Sequence, residues 1–434
     1  MRLSSLLACA ALGCLAAPAF AETVYLTADR FVDPAAGKTI RNAAFVIEDG
    51  KVTARGTKAT LPAPAEADVI EFGSGSTLMP GFIDMHVHLT GDPTDGPYYS
   101  LSLSDERKAL KGAKNARLTL LAGFTTVRNV GADSYGDVAL RDSINAGEVP
   151  GPRMYVSGPP VGIIGGHCSD NNLLPEEYHS TGEGVATGPW EYRAKVRENI
   201  KYGVDLIKTC STGGVFSKGT ALGAAQGTLE ELTAAADEAH ARGLKIASHA
   251  HGTVGIKNAI LAGIDTIEHA SILDDEAIQM AKDHDVWLSM DIYNTEYTLA
   301  EGEKNGVLEE SLEKERSISK IQRASFTKAV KAGVKMVFGS DAGVYPHGMN
   351  GNQFSRMVQF GMTPMQALQA ATVNAADALG KAGEVGCVEA GCHADFVAVK
   401  GDPLADMGLL ADVDFVMKDG AVYKQGGLPN GNAL

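Results

Sequence analysis

The chain has 434 residues, 44% hydrophobic and 21% charged, with a formal charge of −15 and a pI near 5.2. That is enough apolar material for one large domain and a smaller one. The acidic balance excludes a nucleic-acid binder, which needs a basic face, and makes an anionic membrane surface a poor partner.

Residues 1–21, "MRLSSLLACAALGCLAAPAFA", read as a secretory signal peptide: an early Arg2, an apolar run and the small-x-small site Ala19-Phe20-Ala21. They predict a mature, periplasmic or secreted chain that starts near Glu22. A lipoprotein signal ending at Cys9 or Cys14 is the competing reading. No later run is apolar enough to span a membrane. Residues 22–80 show short alternating strands, with "EDGK" as a hairpin signal.

From 81 to 382 the period changes to a repeated unit of apolar strand, polar loop and helix. Strand-like runs fall at 82–89, 124–130, 153–158, 204–210, 244–251, 264–270, 286–291 and 334–343. Thr228 with Glu231 forms a capping box ahead of a helix stopped by Gly243, and Thr363-Pro364 starts another that runs to Gly380. Alternating βα units predict an α/β fold, a (β/α)8 TIM barrel, with a doubly wound open sheet as the rival. The loops 161–192 and 294–325 are long enough to be functional and would overhang the barrel mouth. Residues 383–425 return to short strands with a "KDGA" turn, so both flanks are expected to pair into one β-sandwich, leaving 426–434 as a tail. Cys387 and Cys392 stand close enough to bridge a turn, as a disulfide or as two free thiols.

The chemistry concentrates at strand ends. His86 and His88 are two apart, so both imidazoles point to one side of their strand. His249 and His251 end the fifth strand, His269 the sixth and Asp341 the eighth. Imidazole and carboxylate are zinc ligands, and separate strand ends converge on one point. Lys208 ends the apolar fourth strand, where an unpaired ammonium costs several kcal/mol. It is either salt-bridged, to Asp205 for example, or chemically changed. His251 is read as a group that hydrogen-bonds substrate or an oxyanion, or as an orienter of a ligand. His167, Arg128, Tyr293 and His347 are candidate substrate contacts on the rim. Arg128 suits a substrate carboxylate and equally a structural acid. "STGG" (211–214) lets backbone approach the site closely.

The set His86-x-His88, Lys208, His249, His269 and Asp341, with "PGFIDMHVHL", "GFTTVRNVG", "GVDLIKTCSTGGV", "IASHAHG", "TIEHA" and "GSDAGV", resembles the amidohydrolase superfamily. The likeness is closest to its binuclear-metal branch of Xaa-Pro dipeptidase-like carboxypeptidases, ochratoxin-hydrolysing amidohydrolases and imidazolonepropionase relatives. It covers nearly the whole mature chain. "GGHC" (165–168) departs from it, with a cysteine where many relatives have glycine, and "GVYPHGMNGNQF" is a second departure that leaves substrate choice open.

The resemblance implies two divalent metal ions, zinc being the suitable one. His86 and His88 would hold one, His249 and His269 the other, and a carbon dioxide-derived carbamate on Lys208 would bridge them. A metal-bridging hydroxide would attack, with Asp341 as ligand and general base. The implied reaction is hydrolysis of an amide or peptide bond in a small molecule, releasing a C-terminal amino acid from dipeptides, N-acyl amino acids or ochratoxin-like amides. Cyclic-amide, lactone or phosphotriester hydrolysis is the alternative, and a non-catalytic binding scaffold a remote one. Multimeric relatives imply a homo-oligomer, an octamer among the forms open to it.

Overall fold

The computed structural model describes residues 23–96, 98–169 and 174–433. The signal-peptide reading of 1–21 lies outside the described residues. The amino-terminal strands are β1 (Val24–Asp33), β2 (Lys38–Glu48), β3 (Lys51–Thr57), β4 (Asp68–Phe72) and β5 (Ser76–Pro80). Next come β6 (Phe82–Val87), β7 (Phe124–Asn129), β8 (Arg153–Val156), β9 (Leu206–Cys210), β10 (Lys245–Ala250), β11 (Thr266–His269), β12 (Trp287–Ser289) and β13 (Met336–Val337). The chain closes with β14 (Phe396–Lys400), β15 (Phe415–Lys418), β16 (Ala421–Gln425) and β17 (Leu428–Pro429).

Every strand expected between 82 and 343 is present, each shorter than its apolar run. Their ladders are parallel, and helices alternate with them, giving a mixed α/β fold. The hydrogen bonding does not close into one barrel. It forms a three-stranded sheet, β6-β7-β8, and a five-stranded sheet, β13-β12-β11-β10-β9. The two meet at isolated bridges, Val161 with Thr209 and Val87 with Ala342. The strands are interrupted there because their ends curl into the loops that carry the site.

Both chain ends join one antiparallel-rich sheet of nine strands, in the order β17-β16-β15-β14-β5-β1-β2-β3 with β4 beside β1. Both flanks thus join as expected, though not as two separately bonded sheets. Because β5 pairs with β14 on one side and β1 on the other, the hydrogen bonds run through a single sheet. Asp49-Gly50 and Asp419-Gly420, with φ of 50°, 74°, 49° and 75°, make the two short hairpins. Phe31, Phe45 and Phe396 pack edge to face on the inner side of this sheet.

Thr228 accepts from the Glu231 amide, while the Glu231 carboxylate accepts from the Thr228 amide, the capping box expected there. The helix expected from Pro364 to Gly380 is broken into Pro364–Ala370 and Val373–Ala378. The Ala370 and Ala371 carbonyls leave the helical ladder to accept from Phe338 and Ile83, which fastens this segment to β13 and β6. Among the described residues no helix is long and apolar enough to cross a membrane.

Candidate active site

The parallel strands end on one open cavity of about 270 Å³, room for a small organic ligand. His86, His88, Lys208, His249, His251, His269 and Asp341 all line it, and so does His167 from the long loop after β8. All but His88 and His167 among these are buried at 6% exposure or less.

Two triads draw their ligand atoms within 4.8 Å of one another: His249, His251 and His269, and His86, His269 and Asp341. Asp341 Oδ1 lies 3.3 Å from His86 Nε2 and 3.5 Å from His88 Nε2. The backbone is bent to achieve this. His269 (φ 68°), Ala270 (φ 46°) and Asp341 (φ 60°) all sit in the left-handed region, a cost of about 1–3 kcal/mol each. The Asp341 amide donates to the His86 carbonyl and the His88 amide to the Ala342 carbonyl, which holds the bent loop on β6. Buried Asp84 adds a second clamp, accepting from the His86 and Ser340 amides and from Asn350 Nδ2. Gly343 (φ 121°) leaves room for His88, whose Cβ would stand 2.9 Å from any side chain there.

A further layer of acids lies behind the imidazoles. His269 Nδ1 is 2.7 Å from Asp291 Oδ1, and His251 Nδ1 is 2.8 Å from Ser271 Oγ. His86 Nδ1 stands 3.0 Å from Glu268 Oε2, close but out of line for a hydrogen bond. Sequence reasoning missed Glu268 and Asp291. Their signal was present: each is an acid inside an apolar strand ending, in "TIEHA" and "SMDIYN".

Burial pushes His88 and His269 down to about 3, and holds His249, His251 and His167 well below the usual imidazole range. These rings are neutral, the form that ligates metal. His86 goes the other way, to about 9. Burial and Lys208 oppose its charge, but Asp341 and Glu268 outweigh them. Burial likewise raises Asp291, while Asp341 is lowered despite burial, first by His86. The carboxylates thus demand positive charge at this point, from a proton or from a metal ion. The nitrogen and oxygen donor set, with His249 Nε2 buried and unpartnered, fits divalent ions such as zinc.

Lys208 is 4% exposed. No hydrogen bond or ion pair reaches its amine among the described residues. Asp205 is taken by Arg141 at 2.7 Å, so the salt-bridge account of this lysine does not hold. Burial, only partly offset by Glu268, pulls the amine down to about 8.

His167 stacks on His249, ring centroids 4.0 Å apart, and its amide donates to Gln226 Oε1. A Cβ on Gly214 would stand 2.5 Å from the His167 ring, the close approach expected of "STGG". The next residue, Cys168, is disulfide-bonded to Cys210 at the end of β9. The cysteine in "GGHC" thus ties the loop to the strand that carries Lys208. Cys387 and Cys392 form a second disulfide.

Three rim candidates do not face the cavity. Arg128 is buried, donating to the Met85 carbonyl, Thr266 Oγ1 and Glu268 Oε1 at 2.5–2.7 Å. It meets a structural acid, the second of its two sequence readings. Tyr293 packs edge-on against Tyr345, ring centroids 5.2 Å apart. His347 Nε2 donates toward the His88 and Gly91 carbonyls, bracing the His88 loop from behind. Each was placed on the rim because it ends or follows a strand, but neighbours within the fold take up all three side chains. Asn294, Glu315 and Gln322 line the wall instead.

The amidohydrolase family model matches residues 77–424. An ochratoxinase from Aspergillus niger is 30% identical over 417 residues, 91% of this chain and 85% of that protein. An imidazolonepropionase from Ralstonia nicotianae is 26% identical over 88% of this chain and 93% of its own. Among solved structures, a Xaa-Pro dipeptidase with methionine bound in its active site superposes with a TM-score of 0.87 at 34% identity, over 93% of this chain and all of that one.

Proposed function

This chain belongs to the amidohydrolase family and is a hydrolytic enzyme, and from that premise we propose that it cleaves an amide or peptide bond and releases a C-terminal amino acid. Dipeptides, N-acyl amino acids and ochratoxin-like amides are the substrate class. The observation that carries this reading is the convergence of neutral His88, His249 and His269 with anionic Asp341 at one end of the cavity.

We read the two parallel sheets as an interrupted eight-stranded barrel with the site at its carboxyl end. His86, His88, His249 and His269 would hold two divalent ions, with Lys208 between them. Such ions supply Lewis acidity and lower the pKa of a bound water to about 7. Lys208 suits carboxylation to a carbamate, because its amine is buried, unpaired and pulled down to about 8, so a neutral fraction is open to carbon dioxide. Asp341, kept anionic by His86, accepts the proton of the attacking water and passes it to the leaving nitrogen. His251, fixed through Nδ1 by Ser271, directs its other nitrogen into the cavity, where it meets the scissile carbonyl or a metal ion. His167 forms the opposing wall, held by Cys168–Cys210.

The similarity to an imidazolonepropionase favours one second reading, cleavage of a cyclic amide. A panel of dipeptides, N-acyl amino acids and small lactams, assayed with zinc-loaded protein and with Asp341→Asn as control, separates the two. Release of free amino acid by the native protein and not by the variant is expected. Turnover of lactams alone would overturn the first reading. Lys208→Ala is expected to lose both metal and activity, with short carboxylic acids plus bicarbonate restoring part of each. Full metal content in that variant would refute the bridging role.

A further inference from the structure

One buried acid on the cavity wall has no part in the chemistry above. Glu315 lies on the helix Glu309–Ala332, which turns Glu315, Ile318 and Gln322 toward the cavity from one face. It is 3% exposed. Its Oε1 accepts a 2.5 Å hydrogen bond from the Thr295 hydroxyl. No cation pairs with it among the described residues. Three basic residues of its own helix pair elsewhere: Lys314 with Glu310, Arg316 with Glu309 and Arg323 with Glu296. Among the described residues Lys208 is the one lysine lining the cavity, and no arginine does.

A buried carboxylate without a cation is costly, and burial raises Glu315 to about 7. A proton relieves that cost, and so does a cation arriving in the cavity. We propose that Glu315 is the docking group for a positive charge on the substrate, an ammonium or a guanidinium. This rests on the amide-hydrolase reading and narrows it. Two sources carry that chemistry: the free amino end of a dipeptide and a basic side chain.

The test compares matched pairs on the zinc-loaded native enzyme. Ala-Leu against N-acetyl-Ala-Leu varies the amino end; N-acetyl-Ala-Lys against N-acetyl-Ala-norleucine varies the side chain. The cationic member of one pair is expected to lead in kcat/KM by about 10- to 100-fold, the worth of a hydrogen bond to a charged group. Glu315→Gln, which keeps the shape and the Thr295 contact, should bring that ratio near one. Equal kcat/KM within both pairs, or a preference that survives in Glu315→Gln, overturns the proposal while leaving amide hydrolysis intact. No turnover of any of the four would refute the amide reading itself. Calorimetry then decides the subsite without catalysis: n-butylammonium is expected to bind native protein and out-compete n-butanol, and equal binding of the two would overturn it.

Discussion

Replacing Arg128 with leucine tests whether this guanidinium builds the site from below or meets the substrate. Its side chain is 3% exposed and that of Glu268 is 0% exposed, with 2.5 Å between them. Truncation leaves the buried Glu268 carboxylate without its closest cation, with only His86 beside it. Breaking a buried pair from one side costs about 3–5 kcal/mol. The lost contacts to the Met85 carbonyl and Thr266 are not added on top, because all three bonds desolvate the same charge. A loss of this size is a large fraction of the about 5–15 kcal/mol that holds a typical domain folded. Arg128→Leu/Glu268→Leu removes both charges and should recover most of it, which gives a refoldable control if the single variant is too weak. Urea unfolding of the chelator-treated proteins measures both. Wild-type stability in Arg128→Leu together with a raised KM for substrates carrying a carboxylate would refute the structural assignment.

Other expectations follow from the same geometry. Asp291→Asn removes the carboxyl group behind His269 and should weaken metal binding about 10- to 100-fold, read by competition with a chelator. The Cys168–Cys210 bridge closes a separation of 42 residues and Cys387–Cys392 one of 5. Chain entropy assigns them about 4 and about 2 kcal/mol, so the double alanine variant of the first pair should lose more in urea, and the reverse order would contradict this. For metal-free protein, His88 and His269 bind protons in the unfolded chain below about 6.5 but in the native one only near 3. Stability therefore falls as pH drops from 6.5 toward 3. His86 acts oppositely, its contribution full below 6.5 and lost as pH rises through about 9. A stability that climbs steadily from pH 6.5 to 9 would speak against the His86–Asp341 interaction.

The strands of the parallel sheets and the side chains gathered at the cavity were legible because each uses a strong local signal: an apolar run that ends in histidine, lysine or aspartate. The network behind them was not. Glu268 and Asp291 have meaning only through Arg128 and His269, partners set by the meeting of different strands. His347 and Tyr293 follow strand ends as His269 does, yet the left-handed turns that aim His269 and Asp341 inward are absent from any periodicity. The Cys168–Cys210 pair crosses between a loop and a strand, so spacing alone could not assign it. The nine-stranded sheet was read correctly as joining both flanks but not as continuous. That depends on β5 accepting a partner on each side.

This joining of the flanks also sets an order of events during synthesis. Thr77 waits for Gly401, 324 positions later, before its hydroxyl finds its carbonyl partner. Until β14 emerges, β5 presents one bare edge, and an incomplete chain is open to aberrant pairing there. A premature stop after β13 would therefore keep the cavity's histidines, Lys208 and Asp341 on a polypeptide that cannot finish its seam.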